Sequence, residues 1–356
     1  MKKELLIIHK TQFGYLTDVY KWCEYLKDEY AITVVSLNQS FPIVEMDGVK
    51  VVDVTGDNYY WRGLKFLLAC ITQILRHKGI IITLYFRELS LLKPLLKGKK
   101  IIYDVRTLSI SDNNDEKEKY NNHVKSVMSG FTCATAISKG VKDVIDDGKT
   151  SISVLPLGAD FRGEGNVRSK ELRLLYVGTL WKRRIEDTIN GLKLFVDENP
   201  SVQLHYDIVG DGKDGELDKL KRLVGELGLQ EYVTFHGRIP NNEIGSFLDK
   251  ANVGVSYVPI TDYYQHQPPT KTFEYVLSGM YCLATATYSN QEVINDENGC
   301  LIQDTPEAFA DGLKVCIAKL EDYNPEKIKN TLKEYSWQSI VDDKLKPILI
   351  RVENGC

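Results

Sequence analysis

The sequence predicts an α/β protein made of two successive Rossmann-like, doubly wound domains that face each other across a cleft. Three observations support this fold class. The chain has 356 residues, which is more than one hydrophobic core usually serves. Runs of apolar, β-branched residues alternate with helix-like stretches, and such runs are typical of parallel strands buried on both faces. The alternation restarts after the polar stretch DFRGEGNVRSKE at residues 160–171.

Seven apolar runs in the first half predict strands, and a helix-like segment separates most of them from the next. The segment FLLACITQIL (66–75) is too short to span a bilayer. The apolar run near the start is too short for a signal peptide, so we expect it to form the first strand. The predicted strands are ELLIIHK (4–10), AITVVSL (31–37), VKVVDV (49–54), GIIITLYF (79–86), KIIYDV (100–105), CATAIS (133–138) and SISVLPL (151–157).

Five further runs predict the sheet of the second half. We therefore expect an N-terminal domain at residues 1–162 and a C-terminal domain at 163–336. The five runs are LRLLYVG (172–178), VQLHYDIVG (202–210), YVTFHG (232–237), VGVSYV (253–258) and YCLATA (281–286).

Charge and cysteine content narrow the function classes. The net charge of −4 argues against nucleic acid as a partner. Residues 59–100 nevertheless hold nine basic side chains against one acidic one, Glu88. This segment either faces an anionic membrane surface or is an ordinary buried helix followed by solvated lysines.

The seven scattered cysteines lack C-x-x-C spacing, which favours a reducing cytosol over a zinc site or disulfides. We expect a cytoplasmic protein, with a peripheral position at the inner face of the membrane left open.

Glycines and cations follow several predicted strands of the second half. Carboxyl ends of parallel strands open at one edge of a sheet, where ligands bind. Glycine lets the backbone approach a ligand closely, and helix N-termini add partial positive charge. These loops therefore predict an anion site. They are VGTLWKRR (177–184), VGDGKDG (209–215), HGRIP (236–240) and PPTKTFE (268–274).

Two pairs of charged residues are candidates for chemistry. Lys271 and Glu274 share one helix face, and a lysine in a first helical turn is unfavourable unless an anion lies nearby. A lysine beside phosphates and a carboxylate beside ribose hydroxyls suit a nucleoside diphosphate, although a surface ion pair is the alternative. Asp104 and Arg106, at a strand end, either line the acceptor side or pair with each other.

Several stretches resemble the retaining GT-B glycosyltransferases of family 4, the glycosyl transferases group 1, in order and spacing. The resemblance covers roughly residues 100–350. VLPLGAD (154–160) resembles the domain-linking segment of that family, and SWQSIVDDKLKPIL (336–349) resembles its terminal helix. The resemblance implies a GT-B fold in which a helix at 337–356 packs on the N-terminal domain. The other matching stretches are LLYVGTLWKRR, YDIVGDG, VTFHGRIP, NNEIGSFLDKANVGVSYVP, PTKTFEYVLSGMYCLAT and ENGCLI.

The resemblance also implies roles for individual residues. Glu274 matches the second glutamate of the E-x7-E motif and would hold the ribose, while His266 replaces the first, which contacts the donor sugar. Thr179 and Arg184 fall where the family has its phosphate-binding Arg and Lys. One cation is therefore lost, and Lys182, Arg183 or Lys271 could replace it. The predicted catalytic residues are Arg184, Lys271, His266 and Arg106; the predicted donor-binding residues are Gly14, Gly178, Thr179, Lys182, Gly210, Gly212, Gly237, Arg238, Thr270 and Glu274; Asp104 and Arg106 are predicted on the acceptor side.

The implied reaction is retaining transfer of a hexosyl or related sugar from a UDP- or GDP-linked donor to a glycan or lipid-linked saccharide acceptor in cell-surface polysaccharide synthesis. No Asp-x-Asp occurs in the chain, so we expect transfer without a metal or cofactor. Two alternatives remain open. One is a nucleotide-sugar epimerase of the same fold, and the other is a non-catalytic sugar-nucleotide-binding partner subunit, suggested by His266 and Thr179.

Overall fold

The computed structural model describes residues 2–56, 58–109, 111, 113–160, 171–240 and 243–355. The chain divides into two compact units. Unit 1 comprises Met1–Leu157 together with Trp337–Cys356, and unit 2 comprises Gly158–Ser336. The boundary predicted between residues 162 and 163 lies outside the described residues.

Unit 1 contains a seven-stranded, fully parallel sheet in the order β3-β2-β1-β4-β5-β6-β7. The winding direction reverses beside β1, which is the doubly wound arrangement that the sequence predicted. Each predicted strand of the first half is present. The bounds are β1 Lys3–Ile8, β2 Tyr30–Leu37, β3 Val49–Val54, β4 Ile80–Leu84, β5 Ile101–Val105, β6 Cys133–Ala136 and β7 Ser151–Val154.

Helices cover the sheet of unit 1, and side-chain caps begin several of them. The Asn58 side chain accepts from the Tyr60 amide at the start of the second helix, and Ser138 accepts from the Val141 amide at the start of the fifth. Such caps satisfy amides that have no partner within the helix. The helices are α1 Thr17–Leu26, α2 Tyr59–Arg76, α3 Leu89–Leu96, α4 Asn114–Met128 and α5 Lys139–Ile145.

Unit 2 contains a six-stranded parallel sheet in the order β10-β9-β8-β11-β12-β13. The edge strand β13, Gly299–Ile302, was not predicted as a strand. The other strands are β8 Leu172–Val177, β9 Leu204–Val209, β10 Val233–Gly237, β11 Val253–Ser256 and β12 Tyr281–Thr285; the helices are α6 Ile185–Glu198, α7 Glu216–Glu226, α8 Gly245–Lys250, α9 Asp262–Gln265, α10 Thr270–Leu277, α11 Tyr288–Gln291, α12 Pro306–Leu320 and α13 Pro325–Asn330.

The end of the chain returns to unit 1 through three consecutive helical segments. These are α14 Trp337–Ser339, a π-helical stretch Ile340–Leu345, and α15 Lys346–Glu353. Trp337 is buried, and the Arg351 guanidinium donates to the Ser153 hydroxyl at 2.6 Å. Lys346 also pairs with Glu29. The segment is therefore built into the core and surface of unit 1.

Candidate active site

A pocket of about 430 Å³ opens in unit 2 where β8, β9 and β10 end. Because the three strands are parallel neighbours, the loops after them meet at one edge of the sheet, as the sequence predicted. The structure brings five of the predicted donor-binding residues together in the lining of this pocket. These are Gly178, Thr179, Gly210, Gly212 and Arg238, and Lys213 lies beside them.

The two strand-end glycines, Gly178 and Gly210, form the backbone floor of this pocket, and Gly210 has no space for a larger residue. Gly178 and Gly210 both have φ of 148°, and a Cβ on Gly210 would lie 1.8 Å from the Gly178 carbonyl oxygen. The Gly178 amide donates to the Val209 carbonyl, and the Gly210 amide donates to the Gly237 carbonyl. These two amides are thus engaged within the protein. The glycines therefore provide space for a ligand at the pocket floor rather than free N–H donors.

Lys271 lies beside this floor, in the first turn of α10. Its Nζ is 3.8 Å from the centre of the Tyr176 ring, 3.5 Å from the Tyr257 carbonyl oxygen and 3.8 Å from the position of a Cβ on Gly178. Desolvation lowers the pKa of Lys271 well below its usual value, and the positive charge of Arg183 lowers it further. The ammonium therefore sits at a point where positive charge is unfavourable unless an anion is present.

Arg183 is the second cation of this cluster. Its guanidinium lies over the Tyr264 ring, with Cζ 4.6 Å from the ring centre, and donates to the Tyr264 hydroxyl. Among the described residues, neither Arg183 nor Lys271 pairs with a carboxylate. Two neighbouring cations that pair with no carboxylate repel each other, and an anion bound beside them would relieve this repulsion.

Arg184 has a different environment from the one that the sequence predicted. It caps α6 in the left-handed conformation, with φ of 53°. Its guanidinium pairs with Asp187 at 2.7 Å and with Asp304 at 2.9 Å. Its charge is thus already neutralised by two carboxylates. The structure therefore favours Arg183, one of the three substitutes considered from sequence, as the partner of Lys271.

Arg184→Ala is accordingly expected to affect stability more than catalysis. Asp187 is nearly buried and would keep only its hydrogen bond from the Tyr257 hydroxyl, so we expect a loss of about 1 kcal/mol, allowing for the solvent exposure of Arg184. The thermal midpoint should fall while kcat/KM stays within about threefold of the parent. Arg222→Ala, on exposed α7, is the control. A tenfold loss of kcat/KM at unchanged thermal midpoint would contradict this assignment.

The remaining predicted residues of unit 2 lie close to the cation pair in sequence, and Glu274 also acts on Lys271 electrostatically. Thr270 and Glu274 lie on α10 with Lys271, and the negative charge of Glu274 favours protonated Lys271. His266 ends α9, with its ring centre 5.2 Å from that of Tyr288. Lys182, exposed and with φ of 55°, extends over Trp181. Their roles toward a donor stay predictions.

In unit 1 the predicted acceptor-side pair is buried. Asp104 is fully buried, and the Arg106 guanidinium pairs with it at 3.1 Å and with Asp18 at 2.9 Å. Thr135 donates to the Asp104 carboxylate at 2.6 Å. Burial raises the pKa of Asp104 despite the adjacent Arg106. The geometry favours the alternative in which the two residues pair with each other. The Arg106 side chain is 9% exposed, and its role toward a substrate stays a prediction.

Sequence reasoning missed Asp18, Tyr176 and Tyr264. Asp18 in the first turn of α1 could be identified as a helix-start acid, but its pairing with Arg106 depends on the fold.

Gly14, the predicted remnant of a glycine-rich loop, has φ of 90° between β1 and α1, and a Cβ there would lie 2.5 Å from the Val44 Cβ. Gly14 is therefore required by close packing, whatever its role toward a ligand.

The lowered pKa of Lys271 predicts a pH-dependent affinity for a nucleoside diphosphate. An anion binds protonated Lys271 better, so affinity should fall as pH rises through the lowered pKa, below the usual 10.5. Phosphate groups titrate near pH 6, so calorimetric titrations above about pH 7.5 isolate the lysine. Lys271→Met should bind more weakly and without this slope. An equal slope in Lys271→Met would assign the titration to another group.

The residues that the structure describes contain neither a candidate metal site nor a candidate membrane-spanning helix. No group of three or more His, Cys, Asp or Glu side chains could hold a metal ion. The described helices also include none with the length and apolar character needed to cross a membrane.

Comparisons with known proteins connect this geometry to one family. Residues 171–319 match the family model of the glycosyl transferases group 1. No curated protein matches the chain. Among solved structures, sucrose-phosphate synthase from Thermosynechococcus elongatus superposes with a TM-score of 0.77 at 16% identity, covering 100% of both chains.

Two further solved structures share the fold over nearly their whole length. The lipopolysaccharide outer core galactosyltransferase WaaB, in its apo form, gives a TM-score of 0.73 at 17% identity over 98% of this chain and 99% of the other. Anabaena Alr3699/HepE in complex with UDP gives 0.71 at 13% identity, with the same coverage. The chain thus has the GT-B fold, and the family model of the glycosyl transferases group 1 matches most of its second unit.

Proposed function

We propose that this protein is a retaining glycosyltransferase that transfers a hexosyl or related sugar from a UDP- or GDP-linked donor to a glycan or lipid-linked saccharide, in cell-surface polysaccharide synthesis. The proposal rests on the neighbouring cations Lys271 and Arg183. Lys271 lies beside Gly178 of the pocket floor, and neither cation pairs with a carboxylate among the described residues. This arrangement suits a diphosphate, which gains negative charge as the glycosidic bond breaks. Similarity to the UDP complex of Anabaena HepE supports a nucleotide donor.

The proposed reaction requires the protein to position the donor and to stabilise the leaving diphosphate. Fixed cations meet the second need, because they oppose the developing charge without reorganising. We therefore propose metal-independent transfer. In retaining transfer of this kind, a donor phosphate oxygen takes the proton of the acceptor hydroxyl on the face that the diphosphate leaves. Glu274, one turn along α10 from Lys271, is assigned to the ribose, which does not change during the reaction.

The proposal is tested by incubating the protein with UDP- and GDP-sugars and mixed saccharide acceptors, with and without EDTA. We expect acceptor-dependent release of the nucleotide, an unchanged anomeric configuration in the NMR spectrum of the product, and rates that EDTA leaves within about twofold. Conversion of the donor sugar without any acceptor would instead establish an epimerase. Binding of donor without turnover under any acceptor would favour the non-catalytic subunit.

We propose that the protein binds its acceptor at the cytoplasmic face of an anionic membrane. Phe66, Cys70 and Ile74 bury one face of α2, while the other face exposes large apolar side chains to solvent. Because residues 59–100 carry nine cations against Glu88, which pairs with Lys10, the surface combines apolar contact with positive charge. The exposed residues of α2 are Tyr59, Tyr60, Trp61, Leu64, Leu68 and Leu75.

Flotation with vesicles tests this surface. We expect partition onto phosphatidylglycerol-containing vesicles that falls with salt, since each basic residue near the surface adds about 1 kcal/mol. Trp61→Ala/Leu68→Ala should reduce partition by about tenfold through lost apolar burial. Leu194→Ala/Val315→Ala, a pair of exposed apolar residues in unit 2, is the control. Partition that is equal at low and high salt, or unchanged in the α2 variant, would contradict the proposal.

A further inference from the structure

A pocket in unit 1 lies away from the ends where the strands of its sheet terminate. Its volume is about 760 Å³, within the usual size range of small-molecule sites. It is built from α3, the loop 97–100 that leads into β5, the turn 130–132 that leads into β6, and the end of α15. It therefore opens at the amino ends of β5 and β6, at the opposite edge of the sheet from Gly14.

Lysines are the only charged residues among the described residues that line this pocket. There are four of them, Lys93, Lys97, Lys99 and Lys100. Within the described chain, none of the four pairs with a carboxylate. Lys93 is held by the carbonyls of Ser126 and Ser129, and Lys99 by the carbonyl of His77 at 2.9 Å. Lys97 and Lys100 are exposed and leave their ammonium groups available to a ligand.

The inner wall of the pocket is apolar. Leu96, Ile101, Phe131 and Val352 are all nearly buried and line the cavity, and Lys93 Nζ lies 6.0 Å from the centre of the Phe131 ring. A free inorganic anion would contact the lysines of the rim but not this apolar wall. A neutral lipid chain would use the wall but not the cations. The combination matches a ligand that carries both features.

We propose that this pocket binds an amphiphilic phosphate, in which an apolar chain contacts the wall and the phosphate is held by Lys97 and Lys100. Four uncompensated lysines favour a doubly charged phosphate over a carboxylate, because cation attraction scales with ligand charge. The ligand is either a free alkyl phosphate or a lipid drawn from a bilayer. The site is independent of the glycosyl transfer proposed for unit 2.

Isothermal titration of the whole protein with dodecyl phosphate tests the proposal. We expect saturable one-to-one binding below the micelle concentration. Inorganic phosphate should bind at least about tenfold more weakly, because each buried methylene adds roughly fourfold in affinity. Neutral dodecyl maltoside should bind at least about tenfold more weakly than dodecyl phosphate, because its head group carries no charge for the lysines. Vesicles with and without phosphatidic acid then distinguish a bilayer lipid from a free amphiphile.

Two kinds of variant locate the site. Lys97→Glu/Lys100→Glu reverses the exposed rim charges, and Thr132→Trp places a large side chain at an exposed lining position. Each should weaken dodecyl phosphate binding by at least about tenfold. The charge-matched control is Lys119→Glu/Lys149→Glu, at exposed positions of unit 1 outside the pocket, and it should stay within about twofold. Equal thermal midpoints confirm folding. Binding that is absent, equal for the maltoside, or unaffected by both pocket variants would overturn the proposal.

Discussion

Lys271→Ala is expected to lower kcat/KM by roughly 10- to 100-fold while leaving the thermal midpoint unchanged or higher. A hydrogen bond to a charged group is worth about 1.5–3 kcal/mol, and each 1.36 kcal/mol corresponds to tenfold in rate. Because charge grows on the diphosphate during reaction, the loss should appear mainly in kcat. Stability should not fall, since removing Lys271 relieves its repulsion with Arg183 and its desolvation.

Lys219→Ala, on exposed α7, is the matched control for this lysine and should leave both quantities unchanged. Glu274→Gln provides a second comparison, in which KM for the donor should rise more than kcat falls. If Lys271→Ala keeps kcat/KM within about threefold of the parent, a difference of only about 0.65 kcal/mol, the diphosphate does not bind at this cation pair.

Gly210→Ala is expected to damage both the stability of unit 2 and donor binding. The new Cβ would lie 1.8 Å from the Gly178 carbonyl oxygen, so the loop after β8 must move. Overpacking against backbone, together with the positive φ of 148°, should cost about 2–4 kcal/mol. For a unit of this size that corresponds to roughly 5–15 °C in thermal midpoint. Displacing Gly178 also disturbs the floor beside Lys271, so donor affinity should fall by at least about tenfold.

Gly215→Ala separates the clash from the backbone strain. Gly215 also has a positive φ, 72°, but a Cβ there meets nothing within 4 Å. We expect a loss of only about 1 kcal/mol, from the left-handed conformation alone, and an unchanged donor affinity. Equal effects of the two substitutions would show that the contact between the strand ends is unimportant.

Sequence reasoning succeeded for the sheets because parallel strands are buried on both faces and therefore appear as continuous apolar runs. Twelve predicted runs correspond to β1–β12. It missed β13, Gly299–Ile302, because this edge strand is four residues long and exposes Leu301. A strand of that length beside a glycine has too little apolar periodicity to be distinguished from a loop.

The sequence predicted which loops line the candidate site, but it did not predict which way the side chains on those loops point. Glycine and lysine positions at strand ends indicated where an anion would bind. Whether Arg183 or Arg184 faces that point depends on the left-handed backbone at Lys182 and Arg184, which no residue type there requires. Carboxylates distant in sequence, such as Asp304, then decide which arginine is neutralised. For Asp104 the sequence left open a place on the acceptor side or a pair with Arg106, and its full burial within an apolar strand favours the pair.

The discontinuity of unit 1 has a consequence for biosynthesis. Its last helical segments follow 179 residues of unit 2, Gly158–Ser336, and include buried Trp337 and the Arg351 bond to Ser153. At 5–20 residues per second, a ribosome needs roughly 9–36 s to make the intervening chain. During that interval the nascent β7 region lacks its Arg351 partner and the pocket of Trp337 is unfilled. All seven strands of unit 1 are made before unit 2, but the helical segments that complete unit 1 are made last. Unit 1 therefore gains its full set of packing contacts only after the contiguous unit 2 has been synthesised.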